Sequence, residues 1–156
     1  MSGSHGTLSN GSCSGGGVNA TGGVTFYLVA QGSTNNGTVA ISTCFAITAP
    51  TPSQATTMSS GSATLGQTQG IAIWVDNGMS TSGQDGVTGG GSVAIQGAIY
   101  DPSRLVKYTG SATATASCTQ LVANTINFTG TANFQHNCSG TGVSDALTSS
   151  KIKLSE

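Results

Sequence analysis

Apolar residues in this chain come in short alternating runs, separated by Gly, Ser, Thr and Asn. Val24-Thr-Phe-Tyr-Leu-Val29 sets Val24, Phe26 and Leu28 on one face of a strand. Asn36-Gly37 signals a turn, and Val39-Ala-Ile41 makes a second strand after it. In Ile71-Ala-Ile-Trp-Val75, Ile71, Ile73 and Val75 alternate with Ala72, Trp74 and Asp76. Further strands are predicted over 93–95, 98–100, 105–108, 121–122, 125–128 and 133–134. No segment sustains a helical period, and only 145–148 has room for a short helix. Residues 1–22 read as an irregular first coil or cap. Residues 48–69 and 77–91 read as two long surface loops. Lys151-Ile-Lys-Leu154 reads as an edge strand whose lysines discourage end-to-end pairing.

A repeat organises these strands. Tyr108-Thr-Gly-Ser-Ala-Thr-Ala-Thr-Ala-Ser-Cys118-Thr lies over Phe128-Thr-Gly-Thr-Ala-Asn-Phe-Gln-His-Asn-Cys138-Ser without a gap, at an offset of 20 residues. Val87-Thr88-Gly89 carries the same signature one step earlier. Self-similarity at this period, with short strands between glycines, predicts a stacked coil. The expected fold is all-β: a parallel β-helix, or β-solenoid, with coils of about 20 residues and two long surface loops. Val87, Tyr108 and Phe128 are expected to stack as inward-pointing residues of successive coils. Residues 7–156 form one domain in this reading, and Met1-Ser-Gly-Ser-His-Gly6 reads as an expression remnant.

The cysteines agree with that period. Cys118 and Cys138 are separated by one repeat, so stacking brings them within reach of a disulfide. Cys13 and Cys44 are then the remaining pair. Two disulfides imply an oxidising compartment. Each is worth on the order of 3 kcal/mol through constraint of the unfolded chain.

Composition removes several function classes. Four Lys and Arg against five Asp and Glu are too few cations to neutralise a run of phosphates, which excludes nucleic acid as a partner. No run of about 18 apolar residues occurs, so no membrane-spanning helix is expected. A surface of Ser, Thr and Asn with 6% charged residues suits an extracellular setting. Five Asn-x-Ser/Thr sequons, at Asn10, Asn19, Asn36, Asn127 and Asn137, follow from composition alone.

Candidate chemistry is sparse. Asp76 and Asp101 each follow a strand and would resemble a paired-carboxylate or calcium site if adjacent coils brought them together. Asn77-Gly78 and Pro102 after them favour turn roles instead. His136 lacks the partner ligands a metal needs, and His5 falls in the presumed remnant. No nucleophile elbow, phosphate loop or Cys-x-x-Cys is present. No enzyme, cofactor or metal is therefore expected. Tyr27, Trp74 and Tyr100 sit on the outer faces of their strands, where rings can stack on sugars or bury against a partner. The 48–69 loop is expected to fold over them. Thr113-Ala-Thr115 offers one row of an ice-binding ladder, which Asn133-Phe-Gln135 breaks.

Gly23-Val-Thr-Phe-Tyr-Leu28, Ala49-Pro50-Thr51, Gly97-Ala-Ile-Tyr-Asp-Pro-Ser103 and Cys118-Thr-Gln-Leu-Val-Ala123, with the Thr129-Gly130 turn, come in the order found in one family. Over most of 23–143 the chain resembles the C-terminal region of TadG-like proteins of Tad (Flp) pilus assembly. The resemblance implies a fragment of a larger bacterial envelope protein, extracellular or periplasmic. It would be non-enzymatic and act through contacts with other pilus or envelope proteins, self-association or surface glycans. A carbohydrate-binding or carbohydrate-degrading β-helix is the alternative, and an ice-binding solenoid the second. Binding residues would come from Tyr27, Trp74, Tyr100, Asp76 and Asp101, with contact loops at 48–69 and 77–91.

Overall fold

The structure, a computed structural model of the chain, describes residues 7–9, 17–20, 22–29, 37–42, 44–60, 63–89, 93–110, 118–130 and 137–139. Short β-branched and aromatic strands are punctuated by Gly, and they wind as a parallel β-solenoid of about three turns, with no helix among the described residues. The first described strand, β1 (Thr7–Ser9), leads into three strands of one coil: β2 (Val18–Ala20), β3 (Phe26–Leu28) and β4 (Thr38–Ile41). The next coil holds β5 (Phe45–Thr48), β8 (Ile71–Val75) and β9 (Gln84–Gly89). Between β5 and β8 it carries an inserted antiparallel hairpin, β6 (Thr57–Ser60) with β7 (Ala63–Gln67). A single long strand, β10 (Val93–Gly110), then lines all three faces of the third coil, and β11 (Thr119–Thr129) begins a fourth.

Each face is a parallel ladder. One runs β2-β5-β10, the second β3-β8-β10-β11, the third β1-β4-β9-β10-β11. Registered stacking sorts side chains into files. On the third face Val87, Tyr108 and Phe128 align in one file, as the repeat predicts, and Ile41 pairs with Val87 to extend it. On the second face Phe26, Ile73, Ile99 and Leu121 form the inward file. On the first, Phe45 and Ile47 lie under Val93 and Ile95. These files supply the core, in which Phe45, Ile47, Ile73, Val75, Val87, Val93 and Tyr108 are buried.

The coil length is less uniform than the sequence repeat suggests. Tyr108 and Phe128 are one offset of 20 apart, and Ile99 pairs with Leu121 22 residues on. Phe45 pairs with Val93, 48 residues later, because the hairpin is looped out of that coil. Gly97 turns β10 from the first face to the second at φ 132°. A Cβ there would meet the Ala49 methyl at 2.5 Å and the Gly70 carbonyl oxygen at 3.0 Å, so only glycine fits the corner.

Several expectations are corrected. The region 1–22, read as irregular, contains β1 and β2. The 48–69 loop carries the β6–β7 hairpin, and the 77–91 loop contains β9, whose Val87 is core. β5 is a full strand with Phe45 and Ile47 buried. Ala72, read as outward, is buried as an extra residue where the β8–β10 register shifts. The expected strands at 133–134 and 151–154 and the short helix at 145–148 lie outside the described residues.

Cys118 and Cys138 form the expected disulfide, with Cα atoms 4.5 Å apart. Cys44 is also disulfide-bonded, while its expected partner Cys13 lies outside the described residues. The bridge fastens β11 at its start, where the Cys118 carbonyl accepts from the Gly97 amide at 2.7 Å.

Phe128 keeps its file but not its expected burial. Its ring lies 5.9 Å from that of Tyr108, yet it is 52% exposed, because β11 ends the described stack and no further described coil covers it. A large cavity penalty therefore belongs to Tyr108, which is 1% exposed. Tyr108→Ala should cost about 3–5 kcal/mol, and Phe128→Ala only about 1 kcal/mol. Denaturant unfolding of the two variants checks this: equal losses would contradict the difference in burial between the two rings.

Candidate functional site

Alternation on the second face sends Ile73 and Ile99 inward, so their neighbours Trp74 and Tyr100 face out. Tyr27 pairs with Trp74, and Trp74 with Tyr100, which builds an outer aromatic file over three successive coils. Ring centroids are 6.1 Å apart for Tyr27–Trp74 and 5.4 Å for Trp74–Tyr100. The rings meet at 80° and 70°, edge to face, so they form walls rather than a flat platform. With Asp76 and Asn77 they line a cleft of about 120 Å³.

Asp76 belongs to this cleft through its turn. Its Oδ1 accepts from the Gly78 amide at 2.9 Å and its main-chain oxygen from Met79 N at 3.0 Å. Its Oδ2 accepts from the Tyr27 hydroxyl at 3.2 Å. Burial, then the Asp76 charge and that hydrogen bond, push the Tyr27 phenol up to about 12. The hydroxyl thus stays protonated and holds the aspartate in place. Among the described residues, none of 48–69 lines the cleft.

Asp101 is elsewhere. The expectation that it shares a site with Asp76, or forms a turn, is corrected by the same alternation: Ile99 points in, Tyr100 out, Asp101 in. Asp76 stands one place further along its strand than Asp101 does, relative to the Trp74–Tyr100 pair, and so faces the opposite way. Asp101 is fully buried beside Asp85 and Arg104, themselves 2% and 0% exposed.

This second constellation ties three coils together. Arg104 lies among Pro102, Ser103 and Arg104, three residues of β10 that stand opposite the single Asn124 of β11, and the bulge turns its guanidinium inward. Its Nε donates to the Ser80 carbonyl at 2.8 Å, and its Nη1 donates to the Gly37 carbonyl and reaches Asp85 at 3.4 Å. Asp85 accepts from the Val39 amide at 2.6 Å. Two carboxyls face one guanidinium, so a proton must make up the balance. Neither Asp101 oxygen meets a partner in ordinary hydrogen-bonding geometry. Burial, then the adjacent Asp85 carboxylate through a shared proton and like charge, raises Asp101 to about 8, with Arg104 opposing. Asp101 is thus mostly neutral at pH 7, and the cluster is a structural tie closed to solvent.

Asp85 is the residue sequence reasoning missed. The Val87-Thr88-Gly89 match, extended two positions, sets Asp85 against Val106, in register with an inward file. A lone acid in an apolar file is the signal of a buried, compensated carboxylate. On the third face Thr88, Thr109 and Thr129 form an outward file, with Thr109 and Thr129 hydroxyls 3.2 Å apart, beside a file of Gly86, Lys107 and Asn127. Thr113, Thr115, Asn133 and His136 lie outside the described residues. Among the described residues no group of three or more His, Cys, Asp or Glu is placed to hold a metal ion.

Asp101 makes stability fall with pH. The unfolded carboxyl ionises near 3.8 and the folded one near 8, so between these values the folded chain holds a proton that the unfolded chain has released. Stability should decline from about pH 4 to about pH 8 and level off above. Asp101→Asn removes the titration while keeping shape. Its melting temperature should exceed that of the parent most above pH 8 and converge with it in acid. Parallel melting curves for the two proteins would contradict the assignment.

No family model matches the chain, and neither a curated protein nor a solved structure matches it.

Proposed function

We propose that this chain is a non-enzymatic contact module of the bacterial cell envelope, exported to an oxidising compartment and working through its outer aromatic face. The observation that carries the reading is the Tyr27–Trp74–Tyr100 file, half-buried and open to solvent on a rigid three-coil ladder. Disulfides at Cys118–Cys138 and Cys44 fit export. Among the described residues no helix is long and apolar enough to cross a membrane. The ordered motifs from Gly23 to Gly130 that resemble TadG-like proteins suggest pilus assembly as the setting.

The separation of Asp76 from Asp101 supports a binding role over glycoside hydrolysis, since acid/base chemistry needs both carboxyls on one cleft. The contact surface moves accordingly. Residues 84–89 are β9 and belong to the stack, whereas Asn77 and its turn border the cleft.

Attachment under flow tests the reading. Beads coated with the protein should be retained on bacterial cells above an albumin-coated control, without release of reducing sugar from the cell surface. Trp74→Ala with Tyr100→Ala should reduce retention roughly tenfold or more, as expected for a buried aromatic hot spot. Retention unchanged by the double variant, or saccharide release by the parent, would overturn it.

A further inference from the structure

The outer cleft has a charge that its described neighbours leave uncompensated. Asp76 receives two neutral donors, the Tyr27 hydroxyl and the Gly78 amide, and no cationic side chain pairs with it among the described residues. Arg104 is buried on another face with Asp85, and Lys107 stands on the third face opposite Gly86 and Asn127. Three aromatic rings set at 80° and 70° to one another rise beside this carboxylate. Rings at near right angles present π faces in more than one direction, as walls do, and each face is electronegative. A carboxylate and aromatic rings lining one cleft give a field complementary to a soft, weakly hydrated cation.

The cleft is too small for a peptide. Its five described lining residues border about 120 Å³. A sugar ring would need free hydrogen-bonding capacity around its rim. Asn77 and the remaining lone pairs of Asp76 could serve hydroxyls, but three rings set edge to face offer no flat platform on which a sugar could stack. An ammonium ion carrying three methyl groups needs no hydrogen bond; it needs ring faces and nearby negative charge.

We propose that the cleft formed by Tyr27, Trp74, Tyr100 and Asp76 binds a trimethylammonium group of the choline type. The inference rests on reading the outer aromatic file as the contact face, and it names the chemistry that face would meet. Tyr27, locked to Asp76 through its hydroxyl, acts as a positioning residue for the carboxylate as well as a wall. Trp74, between the two tyrosines, is the central face.

Trp74 is the only tryptophan of the chain, so its emission reports this cleft directly. Titration of the intact protein with choline chloride and with tetramethylammonium chloride, at constant ionic strength, should give a saturable change in emission. The affinity should be roughly millimolar, as befits a small site of few contacts. Ammonium chloride and glucose should give none. Asp76→Asn should weaken choline binding about tenfold. Tyr100→Phe, which retains the ring, should bind like the parent, and Tyr100→Leu should not. Each variant is accepted only if its thermal melt matches the parent, and the Tyr100 pair decides the matter if Asp76→Asn fails to fold.

No saturable response to either methylated cation would overturn the proposal. So would an equal response to glucose, or choline binding indifferent to both Asp76→Asn and Tyr100→Leu. Bead retention that depends on Trp74 without any choline response would remove the ligand and leave the contact reading standing. A choline response in a protein whose retention ignores Trp74 would do the reverse.

Discussion

Parallel stacking in register is the constraint on which everything else in this molecule depends. Once one coil lies on the next, the residue at each position inherits the environment of the residue beneath it. Val87, Tyr108 and Phe128 share a file because of this, and so do Tyr27, Trp74 and Tyr100. The same rule makes polar residues in apolar files expensive. Asp85, paired with Val106, is held inside by the Val39 amide and the Arg104 guanidinium. Asp101 adds a second carboxyl to the same pocket and stays mostly protonated there. A buried group of this kind contributes little net stability, but it specifies which coils meet. Arg104 reaches Gly37 and Ser80 on two other coils, so its geometry is met only in the observed register.

The repeat was legible because its signature recurs in full between Tyr108 and Cys138, and the fold class and the Cys118–Cys138 bridge follow from it. Strands made of Thr, Gly, Ser and Gln were not legible. β9 contributes a single large apolar side chain, Val87, and its identity as a strand comes from neighbours in other coils rather than from local alternation. β1 and β2 are strands for the same reason, since backbone pairing to β4 and β5 supplies what their composition does not. Insertions hide the period as well. The hairpin between β5 and β8 separates paired residues by 48 positions, too far for a simple repeat comparison.

The site was legible in part. Tyr27, Trp74 and Tyr100 could be assigned to outer faces by alternation, and stacking brings them together. Alternation could also have parted Asp76 from Asp101, since Val75 and Asp101 follow Trp74 and Tyr100 by one residue and Asp76 by two. Their apparent similarity, each an acid after a strand, came from comparing strand ends rather than registers. A rigid ladder of this kind holds its outer rings at fixed separations without help from loops.

The register itself is the claim to test, and proton–proton contacts in solution test it most directly. Nuclear Overhauser spectra of the isotopically labelled protein should connect backbone protons of Val87 with those around Tyr108, and of Tyr108 with those around Phe128. The amide-to-α pattern should be that of parallel strands. Strong α-to-α contacts characteristic of antiparallel pairing among these residues, or contacts displaced by one position along β9 or β11, would contradict the account.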